Sequence, residues 1–242
     1  QIHEGKPPSR LSKEDYDLFT DPDFSLDFIR HYDNYKTARV YVECLRGCSN
    51  YHRNMLSTRV NNSCHLDCGA CIRGNLRERL HCPQEIPPGC GFCGTINSFG
   101  YPKSRSSRNI IKEIRGLLKL GVKRIVLGAP DFLDYGRDLE LRAPLSIPKP
   151  PPEPNYGALE VLIGEIVELE SIKNEHAQVF IENVKASLCT ERALRILAKI
   201  PNSIFSIGCE TGSVKFSEML GRPFGPSEVL RAVKGAISKG IR

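Results

Sequence analysis

The sequence predicts an α/β fold: a partial β/α (TIM-like) barrel, truncated after about four strand–helix units, with a cysteine-rich loop inserted after its first strand. Three observations predict it. Short β-branched runs alternate with apolar segments of helical period, those helical segments open on capping side chains, and eight of the ten cysteines fall between Cys44 and Cys93.

Residues 1–37 are polar and aperiodic, with Asp21-Pro22-Asp23 as turn chemistry, and read as a linker or tail; the core is expected in residues 38–242. From Arg39 to Cys44, Val40 and Val42 alternate with Tyr41 and Glu43, which suits a first strand. After the cysteine loop, Ser106 or Ser107 can cap a helix carrying Ile110, Ile111, Ile114, Leu117 and Leu118, stopped by Gly121. Arg124 to Leu127 is a second strand. Asn155 then caps Leu159, Leu162, Ile163, Ile166 and Leu169, and Gln178 to Ile181 is a third strand. Thr190 caps Leu194, Leu197 and Ala198, Ile204 to Ile207 is a fourth strand, and Ser227 opens a helix bearing Leu230, Val233 and Ile237. Strands alternating with capped helices imply a parallel sheet, whose functional residues gather at the C-terminal strand ends. Those ends carry Cys48, Gly128 to Asp131, Glu182 with Asn183 and Lys185, and Glu210. A proline-rich run from Pro144 to Pro154 reads as a stiff spacer or a lid.

With 242 residues, 40% hydrophobic and 26% charged, the chain can bury one sizeable core. No apolar run approaches the roughly 20 residues of a membrane span, because Glu160, Glu165 and Glu168 interrupt the best candidate. No export signal is visible, so a reducing cytoplasm is the expected location. The net charge is +6, with Lys and Arg dense from Lys103 to Arg124. That stretch could attract nucleic acid, but the wet face of a helix accounts for it better. The chain opens on Gln1 and stops at Arg242 just after a helix-plus-glycine pattern, so it reads as a fragment.

Clustered cysteines in such a chain point to metal rather than to a disulfide framework. Cys64, Cys68 and Cys71 are spaced C-x3-C-x2-C, Cys82 precedes a proline, Cys90 and Cys93 form C-x2-C, and Cys48 follows the first strand. Thiolates this close together can converge on an iron–sulfur cluster or on zinc, and spacing alone does not separate the two. His52, His65 and His81 lie among them. A non-catalytic zinc module, with nucleic acid as the partner its basic balance suggests, is therefore the alternative reading. Cys44 and Cys209, in or beside strands, read as small buried hydrophobes; Cys189 is assigned no chemistry.

Arg46-Gly47-Cys48, Gly89-Cys90-Gly91-Phe92-Cys93 and Gly208-Cys209-Glu210-Thr211-Gly212-Ser213, with the later Arg222, resemble signatures of the radical S-adenosylmethionine enzymes, most closely their cobalamin-type branch. The resemblance spans about residues 39 to 242. It implies a four-iron four-sulfur cluster on three cysteines, an open iron that chelates S-adenosylmethionine, and reductive cleavage to a deoxyadenosyl radical with an electron from an external donor. The substrate is not implied, and cobalamin would be held by a domain outside this chain. One departure stands out: the interval between Cys48 and Cys90 is long and contains its own C-x3-C-x2-C. Two ligand sets compete, Cys64, Cys68 and Cys71 by spacing, and Cys48, Cys90 and Cys93 by position. The second is favoured, because Phe92 supplies the aromatic residue expected beside the adenine and Ala70 does not. Cys64, Cys68, Cys71 and Cys82 then form a set for a second cluster or zinc. By the same resemblance Gly128 would approach the amino group of S-adenosylmethionine, and Glu182, Lys185 and Glu210 would contact cofactor or substrate; Asp131 reads as a cap.

Overall fold

The computed structural model describes residues 16–18, 20–50, 52–54, 82, 86, 88–138 and 153–242. Cys64, Cys68 and Cys71, and most of the proline-rich run, lie outside the described residues.

Helix α1 (Pro22–Ile29) precedes strand β1 (Val40–Glu43) and the short β2 (Leu45–Arg46). Helix α2 (Thr95–Phe99), strand β3 (Lys103–Ser104), helix α3 (Ser107–Lys119) and strand β4 (Arg124–Gly128) follow. Then come α4 (Tyr156–Val167), α5 (Glu170–Lys173), β5 (Gln178–Glu182), α6 (Glu191–Leu197) and β6 (Ile204–Phe205). Helices α7 (Val214–Met219) and α8 (Pro226–Ile237) end the chain.

Strands β1, β4, β5 and β6 form one parallel sheet in sequence order. Unbroken order with helical crossovers is the winding of a β/α barrel opened to four strands, rather than that of a doubly wound sheet. Val40 pairs with Ile125 and Val42 with Leu127, while Ile125 and Leu127 pair in turn with Val179 and Ile181. All six belong to the main core, against Ile110, Ile114 and Leu117 of α3 and Leu159, Leu162 and Ile166 of α4. The caps fall where local chemistry puts them. Ser106 Oγ accepts the Asn109 N–H at 3.3 Å, Asn155 Oδ1 that of Ala158 at 2.9 Å, and Thr190 Oγ1 that of Ala193 at 3.1 Å. Each satisfies a donor with no partner inside its helix.

Four features depart from expectation. Within the segment read as a tail, Asp21 caps α1, whose Leu26 sits over Gly116 of α3. Arg105 ties the preceding turn to the sheet, donating to the carbonyls of Thr20 (2.7 Å) and Glu43 (2.8 Å) while paired with buried Glu113 (2.8 Å). Helix α8 starts at Pro226, with the Glu228 carboxylate accepting the Gly225 N–H at 3.0 Å. It also packs through its small residues: Ala232 and Ala236 are buried, whereas Leu230, Val233 and Ile237 are exposed. Between those alanines Gly235 comes close to Leu194, where an added Cβ would stand 2.7 Å from a Leu194 methyl, so the narrow face wins over the greasier one. Cys209 is exposed rather than buried, because β6 ends at Phe205 and the chain has already left the sheet. Cys44 is buried as expected, its S–H directed at the Val42 carbonyl. Among the described residues no helix is long and apolar enough to cross a membrane.

Candidate functional site

Beyond β1 the chain turns at Gly47, whose φ of +83° and close approach to the Gly100 carbonyl (2.7 Å from an added Cβ) exclude any side chain. This is the physical reason for glycine in Arg46-Gly47-Cys48. The turn delivers Cys48 to the C-terminal side of the sheet, where its N–H donates to the Gly100 carbonyl at 3.1 Å. The second cysteine loop is fastened there by two backbone bonds, Gly89 N–H to the His52 carbonyl (2.7 Å) and Gly91 N–H to the Leu220 carbonyl (2.8 Å).

Cys48, Cys90, Cys93, Phe92, Lys185 and Glu210 line one cavity of about 240 Å³, together with Asn50, Pro130, Asp131 and Arg222. Asn50, 3% exposed, organises it. Its backbone N–H lies 3.4 Å from Cys48 Sγ, and its Nδ2 donates to Cys90 Sγ (3.4 Å) and to the Gly221 carbonyl (3.0 Å). Its Oδ1 accepts the His52 N–H at 3.0 Å. Nothing in a sequence scan for metal ligands selects this residue; its place two positions after Cys48 is the only available hint. Replacing Asn50 with alanine keeps the backbone contact to Cys48 but removes the side-chain bonds to Cys90, His52 and the buried Gly221 carbonyl, and is expected to cost about 2–3 kcal/mol in urea unfolding.

Gly221 has φ +70°, and an added Cβ would stand 2.7 Å from the Arg53 carbonyl carbon. Gly221→Ala is therefore expected to lower stability by more than about 1 kcal/mol in the same measurement, and to loosen the cysteine loop docked beside it.

Burial pushes the Cys48 thiol up to about 11 against the pull of Lys185, and raises Cys90 against the pull of Arg222. Both therefore rest as thiols, whose protons a metal must displace. Cys93 is exposed and its thiol donates to the Thr95 hydroxyl at 3.1 Å. Among the described residues no three His, Cys, Asp or Glu side chains surround a single ion position. A four-iron cube is a different guest, since it takes its thiolates at separate corners and accepts N–H donors on its sulfurs. Three cysteines around one cavity, two already in contact with N–H groups, fit that demand.

Behind Cys48 lies a buried charge network. Lys185 Nζ reaches Asp131 Oδ2 (3.0 Å), Asp134 Oδ2 (3.1 Å) and Ser49 Oγ (2.8 Å), while Arg137 pairs with Asp134. Asp134 also accepts the Ser49 N–H at 3.0 Å. Burial raises Asp131 to about 6 despite Lys185. Burial also acts to raise Asp134, but Lys185 and Arg137 together overcome it and hold the carboxyl below the usual range. Burial would lower Lys185, and its two carboxylates more than offset that. Asp131 caps the turn Phe132–Asp134 through Leu133 N–H, as expected, and adds the ion pair. Lys185 thus lines the cavity with its charge already matched. Asp134 was not foreseen, since an aspartate in a loop carries no distinguishing pattern.

Glu210 has φ +61° and faces Arg222 at 3.4 Å. The Arg222 side chain is largely enclosed, donates to the Gly208 carbonyl, and packs over Phe224 (4.5 Å) and Phe92 (5.8 Å). The structure does not bring Gly128 or Glu182 into the cavity. Strand alternation turns Glu182 to the sheet face bearing Tyr41, whose hydroxyl donates to it at 2.8 Å. Gly128 lines a neighbouring hollow with Tyr41 and Pro130, the last common to both spaces. Cys82 is half-buried.

A family model described as Radical SAM superfamily matches residues 59–242, a span that starts after Cys48 and includes Cys64, Cys68, Cys71, Cys90 and Cys93. Uncharacterized protein MJ1620 of Methanocaldococcus jannaschii is 46% identical over 206 residues, covering 85% of this chain and 38% of its own length. Uncharacterized protein MK0932 of Methanopyrus kandleri is 39% identical over 219 residues, covering 89% and 39%. The chain thus spans about two fifths of these relatives. Among solved structures, the cobalamin-dependent S-adenosylmethionine radical enzyme OxsB, with aqua-cobalamin and S-adenosylmethionine bound, shares the fold at a TM-score of 0.54 and 14% identity, over 85% of this chain and 23% of that one.

Proposed function

This chain belongs to the Radical SAM superfamily, and we propose that it binds a four-iron four-sulfur cluster on Cys48, Cys90 and Cys93 and S-adenosylmethionine in the adjoining cavity. The observation that carries this reading is the meeting of Cys48 with the distant Cys90–Cys93 pair around one cavity with Phe92, Glu210 and Asn50. The bound cluster would supply the electron that cleaves the sulfonium, delivered to it by an external donor. The chain's own part is ligation, orientation and enclosure. Asn50 holds two of the sulfurs, the Gly221 turn closes over the second cysteine loop, and Phe92 offers a flat surface half-exposed to a ring. Cys64, Cys68, Cys71 and Cys82 make a second ligand set, for an auxiliary cluster, by their spacing alone. The fold shared with a cobalamin-dependent enzyme supports a cobalamin-assisted reaction on a substrate held largely by other parts of a longer protein.

Anaerobic reconstitution with iron and sulfide tests this. About eight iron atoms per chain are expected if both sets hold four-iron clusters, with 5′-deoxyadenosine released from S-adenosylmethionine once a strong reductant is added. A colourless protein that takes up zinc in place of iron and releases no 5′-deoxyadenosine would overturn it.

A further inference from the structure

The turn carrying Leu220, Gly221 and Arg222 comes from the far end of the chain and lands on the cysteine loop. Leu220 and Gly221 hold it there through their carbonyls, which accept from Gly91 N–H and Asn50 Nδ2. Arg222 is thereby set beside the Cys90 thiol, with its guanidinium over the Phe92 and Phe224 rings. Its side chain is 8% exposed, and its Nε finds no hydrogen-bond partner among the described residues. The facing carboxylate, Glu210, is 38% exposed and so screened by solvent, while the arginine is not. The cation's charge at Cys90 is therefore only partly offset by Glu210. The Lys185 network near Cys48 differs, because its two cations are matched by two buried carboxylates.

We propose that Arg222 is a positioning residue that acts through Cys90: an unscreened cation, placed by the Gly221 turn against one cysteine of the triad, that raises the reduction potential of the cluster held there. This rests on the assignment of Cys48, Cys90 and Cys93 as ligands. Reduction adds one negative charge to the cluster, so a fixed cation and N–H donors beside a ligating sulfur favour the reduced form. Arginine suits the place because it stays charged when buried and stacks on aromatic rings.

The test is an EPR-monitored redox titration of the reconstituted protein, following the signal that S-adenosylmethionine perturbs. Arg222→Gln is expected to retain iron and sulfide but to reduce about tenfold less favourably, a shift of about 59 mV to more negative potential for a one-electron couple. Arg222→Lys is expected to recover most of that shift. Glu210→Gln, which removes the partner acid and leaves the cation in place, should move the potential in the positive direction by a smaller amount. If Arg222 serves only as packing between its two rings, Gln and Lys will lower stability alike and leave the potential where it was, and the inference falls. Should Arg222→Gln fail to hold iron, the Glu210→Gln shift decides: an unmoved or more negative potential overturns the proposal. A wild-type protein with no S-adenosylmethionine-sensitive signal removes the ligand assignment itself, whereas an iron-loaded protein with a potential indifferent to Arg222 removes only this inference.

Discussion

Cys90→Ala and Cys48→Ala are each expected to abolish release of 5′-deoxyadenosine from S-adenosylmethionine, while Cys68→Ala leaves release measurable and lowers bound iron by about half. The asymmetry follows from the cavity. Cys48 and Cys90 line the space that Phe92, Glu210 and Arg222 also line, so a cluster held on them would face a cofactor bound there. Cys68 belongs to the intervening segment, whose own four thiols can complete a closed cluster with no open iron. Iron content alone does not separate the triads, because losing either cluster removes about four atoms. Turnover does. Cys68→Ala without cleavage, beside Cys90→Ala with it, would reverse the assignment and make the C-x3-C-x2-C spacing the better guide.

Lys185→Met is expected to destabilise the protein by about 3–5 kcal/mol, seen as a fall in melting temperature on the order of 10 °C. Removing the ammonium leaves Asp131 and Asp134 buried with Arg137 as their single cation, paired to Asp134. A buried charge stripped of its partner costs far more than the pair contributed. The double variant Lys185→Met, Asp131→Asn restores the balance, with Arg137 still on Asp134, and should recover part of the loss. Because Lys185 also holds the Ser49 hydroxyl, the single variant is expected to retain iron poorly at Cys48 as well. A Lys185→Met protein that melts with the wild type would show the network to be dispensable.

Much of this was legible in the sequence, and the legible part is local. A cap joins residues three apart, so Ser106, Asn155 and Thr190 could be read directly. Strand β4 announced itself through consecutive β-branched and aliphatic residues, as parallel strands buried on both faces do. The motif cysteines, Phe92 and Glu210 converge on one cavity because their motifs sit at strand ends or in the loop after β1. What was not legible depends on distant partners or on direction. Asn50 matters through Gly221, and Asp134 through Lys185 and Ser49. Glu182 stands at the expected strand end, but the twofold alternation of a strand turns its side chain to Tyr41. Helix α8 departs for a related reason: periodicity identifies an apolar stripe, and here the buried face is the small-residue one, Ala232 and Ala236 with Gly235 close to Leu194.

The bond from Asn50 to Gly221 bridges 171 residues, and this has a temporal consequence. A chain made from its N-terminus presents Cys48 and Cys90 long before the turn that fastens their loops. At about 5–20 residues per second, the roughly 130 residues between Gly91 and Leu220 take on the order of ten seconds to synthesise. Through that interval the thiols stand in an unclosed loop, open to oxidants and to adventitious metal. The region is thus among the last parts of the domain to mature, and cluster delivery after residue 221 has been made would find the cysteines in their final setting.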